Sequence, residues 1–282
     1  MARSYFVDDS YKRLKELIAK MGGAVVAFSG GVDSTLLLAA AREALGERVL
    51  AVTALSPTYP ETEFSKARDL ATSLAARHLV IETGEFEDSS YRANPPNRCY
   101  FCKKDLFGRL KAIATQEGLP FVLDGSNADD LGDFRPGREA AKEFGIRSPF
   151  IELGIDKTEI RRMAKALGLS NWNQPSQACL ASRIPYGEEI TIARLDRVAR
   201  AEEMLRNLGL LQVRVRDHGP VARIEISPGE LDHALLAGTR KQILDGLKQV
   251  GYTYVCVDLE GYRSGAMNET LDNHGTGGGA SS

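Results

Sequence analysis

A chain of 282 residues that is 43% hydrophobic can bury one large core or two ordinary ones, which sets aside a fibrous or wholly disordered protein. A formal net charge of -2 and a pI near 6.2 supply no broad basic surface, so no nucleic-acid partner is expected. The first residues carry charge where a secretory peptide needs an apolar run, and no stretch approaches the ~18 apolar residues of a membrane span. A cytoplasmic protein without a membrane partner is expected.

In chain order, residues 23–155 alternate short apolar runs with amphipathic stretches, the pattern of βα units around a parallel sheet. Strands are predicted over 25–28, 49–53, 78–81 and 121–123, with helices over 34–45, 61–77, 102–117 and 157–167. Gly168 closes the last helix, and a polar, proline-bearing loop at 171–186 follows. Beyond it come a helix over 191–208, paired strands over 213–215 and 221–226, another helix, and a strand over 252–259. That order suits a smaller α+β domain, so the expected division is 1–183, 184–272 and a Gly- and Ser-rich disordered tail at 273–282.

Ser29-Gly30-Gly31-Val32-Asp33-Ser34 stands directly after the first strand and opens a helix. Glycines let the backbone bring N–H groups against phosphate oxygens, serines add hydroxyl donors, and a helix N-terminus adds partial positive charge. The alternative is a glycine-rich turn with a serine cap. No Lys-Ser/Thr pair follows the glycines, so the loop is neither a Walker A motif nor a dinucleotide fingerprint. It resembles the PP-loop signature S-G-G-x-D-S of ATP pyrophosphatases, shared by asparagine, GMP and NAD synthetases and tRNA thiolation enzymes. That resemblance implies an α/β fold of the adenine nucleotide alpha hydrolase-like type, ATP as cofactor, and a magnesium ion held by Asp33. Backbone near Thr53, at the C-terminal edge of the sheet, is the candidate for the adenine. The segment from Asp124 through Gly125 and Asn127 to Asp130 resembles the G-x-N-x-D-D stretch of PP-loop thiolases. Its carboxylates either hold phosphate-bound magnesium or make an Asx-type turn.

Cys99 and Cys102 form a C-x-x-C before a helix, and Cys179 lies in the later loop. Three thiolates are the ligand set of an iron–sulfur cluster with one open iron; a redox pair or unliganded thiols are the alternatives. Cys256, in an apolar run, is expected to be a small buried core residue. Arg214 and Arg216 share a strand face, Arg223 and Glu225 repeat the spacing, and Arg263 follows. They converge on a phosphate or form a solvated face with Glu225 as cross-strand partner.

With Arg135-Pro136-Gly137, Asn171-Trp172-Asn173, Ala181-Ser182-Arg183-Ile184-Pro185-Tyr186-Gly187, Val213-Arg214-Val215-Arg216 and Gly261-Tyr262-Arg263-Ser264-Gly265 added, nearly the whole chain resembles the LarE family. That family makes the nickel-pincer cofactor precursor of lactate racemase by thiolating a pyridinium mononucleotide. The resemblance implies adenylylation of a substrate carboxylate, displacement of AMP by sulfur, and release of a thiocarboxylate. It implies substrate phosphate on Arg214, Arg216 and Arg263, an acidic pocket at Glu202 and Glu225, and a homo-oligomer up to a hexamer. One branch sacrifices a single cysteine, here Cys179. With Cys99 and Cys102 present, this chain resembles the branch carrying sulfur on a four-iron four-sulfur cluster, its sulfur donor unassigned. A tRNA thiolase, an ammonia-using amidating synthetase and a nucleotide-sensing regulator are the rival readings. From Ala181 onward 12 Lys plus Arg face 14 Asp plus Glu, which counts against tRNA.

Overall fold

The computed structural model describes residues 2–59, 61–132, 136–175, 179–263, 266, 267 and 269. Arg135, Ser264 and Gly265 of the quoted motifs, and the expected tail at 273–282, lie outside them. Two compact units emerge, Met1–Tyr91 with Asn97–Gln177, and Arg92–Pro96 with Ala178–Ser282.

The first unit runs α1 (Ala2–Ala19), β1 (Ala24–Ala27), α2 (Val32–Leu45), β2 (Val49–Leu55), α3 (Glu61–Ser73), β3 (Arg77–Glu82), α4 (Ser89–Arg92) and α5 (Arg98–Gln116). It continues through β4 (Phe121–Leu123), α6 (Gly137–Glu143), α7 (Pro149–Leu153) and α8 (Lys157–Ala166). The sheet is parallel in the order β3-β2-β1-β4, with Ala24 opposite both Val49 and Phe121. β1 is therefore central, and its end is where a doubly wound sheet presents a ligand site.

Helices cover both faces. Val26 and Ala51 face a cluster with Leu14, Ile18, Leu36, Phe150 and Met163, while Val25, Leu50, Val52 and Val122 face Phe107 and Leu110. Strands buried on both sides carry continuous apolar runs, and for this reason they were legible in the sequence. Helix α1 was not expected. Leu14 and Ile18, four residues apart and fully buried, are the part of its stripe that docks on the sheet's helical layer.

The second unit contains α9 (Ile192–Asn207), β5 (Val213–His218), β6 (Val221–Ile226), α10 (Leu231–Leu235), α11 (Ala237–Val250) and β7 (Tyr254–Val257). β5 and β6 pair antiparallel, and β7 returns parallel to β6. Thr191 Oγ1 accepts from the Arg194 amide at 3.3 Å and caps α9. Ala201, Leu205, Val213, Val215, Ile224, Ile243 and Leu247 form its core. Asn94 ties the short 92–96 segment to this unit, its Nδ2 donating to the carbonyls of Ile184 (3.1 Å) and Pro185 (2.7 Å).

The expectation that Cys256 is buried is wrong: the residue is exposed on β7. Strand period decides this, because Val255 and Val257 take the inward positions against the core and leave Tyr254 and Cys256 outside. Its thiol lies 3.5 Å from the Ala222 carbonyl.

Candidate functional site

The phosphate loop is the centre of the first unit's site. Gly31 is the N-cap residue of α2, and no side chain caps that end. The serine-cap reading therefore fails, and helix N–H groups with their partial positive charge are left for an anion. Ser34 Oγ instead donates to the Gly31 carbonyl at 3.1 Å and lies 3.2 Å from Ser29 Oγ, which draws both hydroxyls onto the loop. Gly30 holds φ at 74°, and a Cβ there would stand 3.1 Å from the Ala67 Cα of α3. Both the backbone conformation and the close approach require glycine.

β4 delivers Gly125 to the same place, since a Cβ on it would stand 3.1 Å from the Ser34 amide and 3.2 Å from Asp33 Cβ. Ser29, Gly30, Gly31, Asp33, Ser34 and Gly125 are thus brought together. Thr53 stands beside β1, its hydroxyl donating to the Phe28 carbonyl and meeting His78 Nε2, both at 2.8 Å. Burial, with the charge of Arg68, lowers the His78 pKa.

Asp33 carries the metal test. Its Oδ2 accepts a hydrogen bond from Lys157 Nζ, while Oδ1 is buried without a hydrogen-bond partner. Burial raises the Asp33 pKa and the Lys157 charge only partly offsets it. A buried carboxylate oxygen of this kind fits a magnesium ion, which takes one or two carboxylates together with substrate phosphates. Lys157 is the residue that sequence reasoning missed. It was read only as the start of a helix, yet its amide also donates to Asp129 Oδ2 at 3.0 Å.

The 124–130 segment adopts the turn alternative. Asp124 accepts from Ser126 N (3.3 Å), Ser126 Oγ (2.8 Å) and Ser148 Oγ (2.6 Å). Asn127 and Asp130 form a reciprocal capping box over the turn Ala128–Leu131.

Cys99 and Cys102 lie near the N-terminus of α5 in the first unit, three residues apart and on one face. Cys179 belongs to the second unit as N-cap of the short helical turn Leu180–Arg183. Among the described residues, no group of three or more His, Cys, Asp or Glu side chains is arranged to hold a metal ion.

In the second unit the arginines expected to hold phosphate stand among hydrogen-bonded and paired charges. Arg216 donates to both oxygens of buried Glu225 (2.8 and 2.7 Å) and to the Ser182 carbonyl (2.6 Å). Arg183 donates to both oxygens of Glu202 (2.7 and 3.1 Å), which also accepts from Arg206 (2.8 Å) and the Val215 amide (3.1 Å). Burial works to raise the Glu202 pKa, but Arg183, Arg214 and Arg206 outweigh it and hold the carboxyl below its ordinary value. Arg214 donates to the Val213 carbonyl at 2.9 Å and lies over the Tyr262 ring at 5.2 Å. Its own pKa is lowered by burial and by Arg183. Arg263 pairs with Glu260 at 2.6 Å and with Glu269. Sequence spacing placed Arg214 and Arg216 on a shared face and could not show that Glu225 pairs with Arg216 or that Glu260 and Glu269 pair with Arg263.

A parallel sheet whose central strand opens through Ser-Gly-Gly-Val-Asp-Ser into an uncapped helix defines an ATP-using protein of the PP-loop class. Residues 6–116 match the NAD synthase family. Over 247 residues, 87% of this chain and 89% of the relative, it is 41% identical to the pyridinium-3,5-bisthiocarboxylic acid mononucleotide synthase of Lactiplantibacillus plantarum. An uncharacterized protein of Synechocystis sp. is 43% identical over 94% of this chain and 99% of its own length. A probable tRNA sulfurtransferase of Methanothermobacter thermautotrophicus is 26% identical over 52% of this chain and 40% of its own length. The chain belongs to the LarE family of ATP-dependent sulfur transferases. Among the described residues no helix is long and apolar enough to cross a membrane.

Proposed function

We propose that this chain adenylylates a carboxylate of pyridinium-3,5-biscarboxylic acid mononucleotide and converts it to a thiocarboxylate. The carrying observation is the uncapped phosphate loop with the unpartnered Asp33 Oδ1, in a chain 41% identical to the Lactiplantibacillus synthase. The carboxylate oxygen attacks the α-phosphorus of ATP, pyrophosphate leaves, and a sulfur nucleophile then displaces AMP. The loop amides, with Ser29 and Ser34, hold the polyphosphate, and Lys157 keeps Asp33 oriented. Asp33 would hold a magnesium ion, whose chemistry there would be charge neutralisation on the departing pyrophosphate.

Arg214 and its neighbours Arg216 and Arg263 receive the substrate phosphate; Glu225 holds the Arg216 guanidinium in place, and Glu260 and Glu269 hold that of Arg263. Cys99, Cys102 and Cys179 are the thiolates a four-iron four-sulfur cluster would take, and its chemistry is an exchangeable sulfide at the open iron. The reading divides the chain into an activating part, 1–183, and a substrate part, 184–272, acting as a cytoplasmic homo-oligomer. A tRNA substrate is disfavoured by the pairing of the second unit's arginines with carboxylates.

The test is anaerobic purification with iron and sulfide analysis, followed by turnover of the mononucleotide with ATP, in wild type and in Cys99→Ala, Cys102→Ala and Cys179→Ala. About four irons per chain, lost in each variant, with pyrophosphate release and a thiocarboxylate product, is the expected result. Pyrophosphate release without sulfur in the product would refute sulfur transfer. Absence of iron with one thiocarboxylate per chain would return the sulfur to a sacrificed Cys179.

A further inference from the structure

The loop at 171–173 belongs to the motif set of the sequence but has no part in the reaction described so far. Asn171 sits in it, 8% exposed, and reaches back 141 residues to the phosphate loop. Its Nδ2 donates to the Gly30 carbonyl at 2.9 Å and to Thr35 Oγ1 at 2.9 Å, so both amide hydrogens are engaged. Its Oδ1 is buried and finds no protein partner. A buried acceptor left this way costs stability, so Asn171 is held for what its nitrogen does.

The Gly30–Gly31 peptide is trans and planar, so its carbonyl and its N–H point in opposite directions. Fixing the Gly30 oxygen toward Asn171 turns the Gly31 N–H to the other side, where it meets Ser29 Oγ, the hydroxyl assigned above to the polyphosphate, at 3.4 Å. Two adjacent glycines allow this peptide to flip at low cost, since both tolerate left- and right-handed backbone. A flip would present a carbonyl oxygen to the polyphosphate in place of a donor. The freedom that lets the loop approach phosphate therefore needs a restraint from outside it.

We infer that Asn171 is a positioning residue for the adenylylation step, locking the Gly30–Gly31 peptide so that the Gly31 amide serves as a phosphate donor. The inference rests on the ATP-using reading of the loop and is independent of the acceptor. Reversal of the Asn171 amide would set Oδ1 against the Gly30 oxygen, and the two acceptors repel. Thr35, in the first turn of α2, is the second anchor that holds the amide nitrogen in place.

The experiment is titration calorimetry of the full chain with magnesium-ATP and with adenosine, in wild type, Asn171→Ala and Asn171→Asp, beside thermal melts. Both variants are expected to weaken ATP about ten-fold or more, Asn171→Asp the more strongly because a carboxylate then faces the Gly30 carbonyl. Adenosine, which has no phosphate, is expected to bind within about two-fold of wild type. In pyrophosphate exchange with the acceptor mononucleotide present, the KM for ATP is expected to rise by more than kcat falls. Asn171→Asp fills the same space as asparagine, so it keeps the idea testable where the truncated variant fails to fold. ATP affinity unchanged in Asn171→Asp, or ATP and adenosine weakened in parallel, would overturn the lock. Neither calorimetric ligand contains the acceptor carboxylate, so failure of the proposed substrate leaves the binding readout intact.

Discussion

Replacing Glu202 by alanine removes a fully buried carboxylate that accepts from Arg183 at 2.7 and 3.1 Å, from Arg206 at 2.8 Å and from the Val215 amide at 3.1 Å. The Arg183 guanidinium, 2% exposed, loses the Glu202 charge and keeps its hydrogen bonds to the Cys179 carbonyl (3.3 Å) and Ser182 Oγ (2.8 Å). Breaking one side of such a pair costs roughly 3–5 kcal/mol, most of it the penalty of the uncompensated buried charge. The assay is hydrogen exchange at amides of β5 and β6 in the second unit, where that cost corresponds to exchange roughly 10²–10⁴-fold faster.

An apolar double replacement, Arg183→Met with Glu202→Leu, is expected to recover part of the loss, because it removes the buried Arg183 charge while Arg206 and the Val215 amide still lose their acceptor. The sign with pH follows from the depressed Glu202 pKa. Its contribution is present above the ordinary carboxylate pKa and is lost as pH falls through the lower folded value. Exchange in Glu202→Ala within ten-fold of wild type, with turnover alone impaired, would refute the structural role and leave Glu202 as a substrate group.

Gly125→Ala, whose Cβ would stand 3.1 Å from the Ser34 amide, is expected to cut adenylylation by on the order of a hundred-fold while leaving overall secondary structure intact; a pyrophosphate-release assay with circular dichroism checks this. Asp33→Asn is expected to abolish magnesium-dependent activity without lowering the thermal midpoint at neutral pH. Because burial raises the Asp33 pKa, its stabilising contribution exists only below the ordinary carboxylate pKa and is lost as pH rises through the folded value, so a large drop in midpoint at pH 7–8 would contradict the assignment. Cys256→Ser, at an exposed site, is expected to change stability by no more than about 0.5 kcal/mol in urea unfolding. Leu14→Ala should cost about 2–5 kcal/mol by the same measurement, reporting the docking of α1.

The βα order of the first unit and the phosphate loop were legible in the sequence because their signals are local. A strand buried on both faces reads as an apolar run, and six consecutive residues contain most of the anion cradle. Gly125 was legible through its neighbours at the end of β4. Helix α1 was not, although Leu14 and Ile18 carry its stripe, because only the covering of the sheet gives that stripe a surface to meet. The depth of Cys256 was misread because an apolar run says nothing about which alternate positions turn inward on a strand at the edge of a sheet.

What tertiary structure alone decided is the partnering of polar groups. Lys157 reaches Asp33 across 124 residues of chain and Asn171 reaches Gly30 across 141, and no periodicity encodes either meeting. Spacing put Arg214 and Arg216 on one face, but the fold determined that Glu225 would clasp Arg216 and that Glu202 would draw in Arg183, Arg206 and the Val215 amide. A hydrogen bond acts over about 3 Å and in a narrow range of angles, so its partner is fixed by where the backbone returns and not by the residue types that precede it.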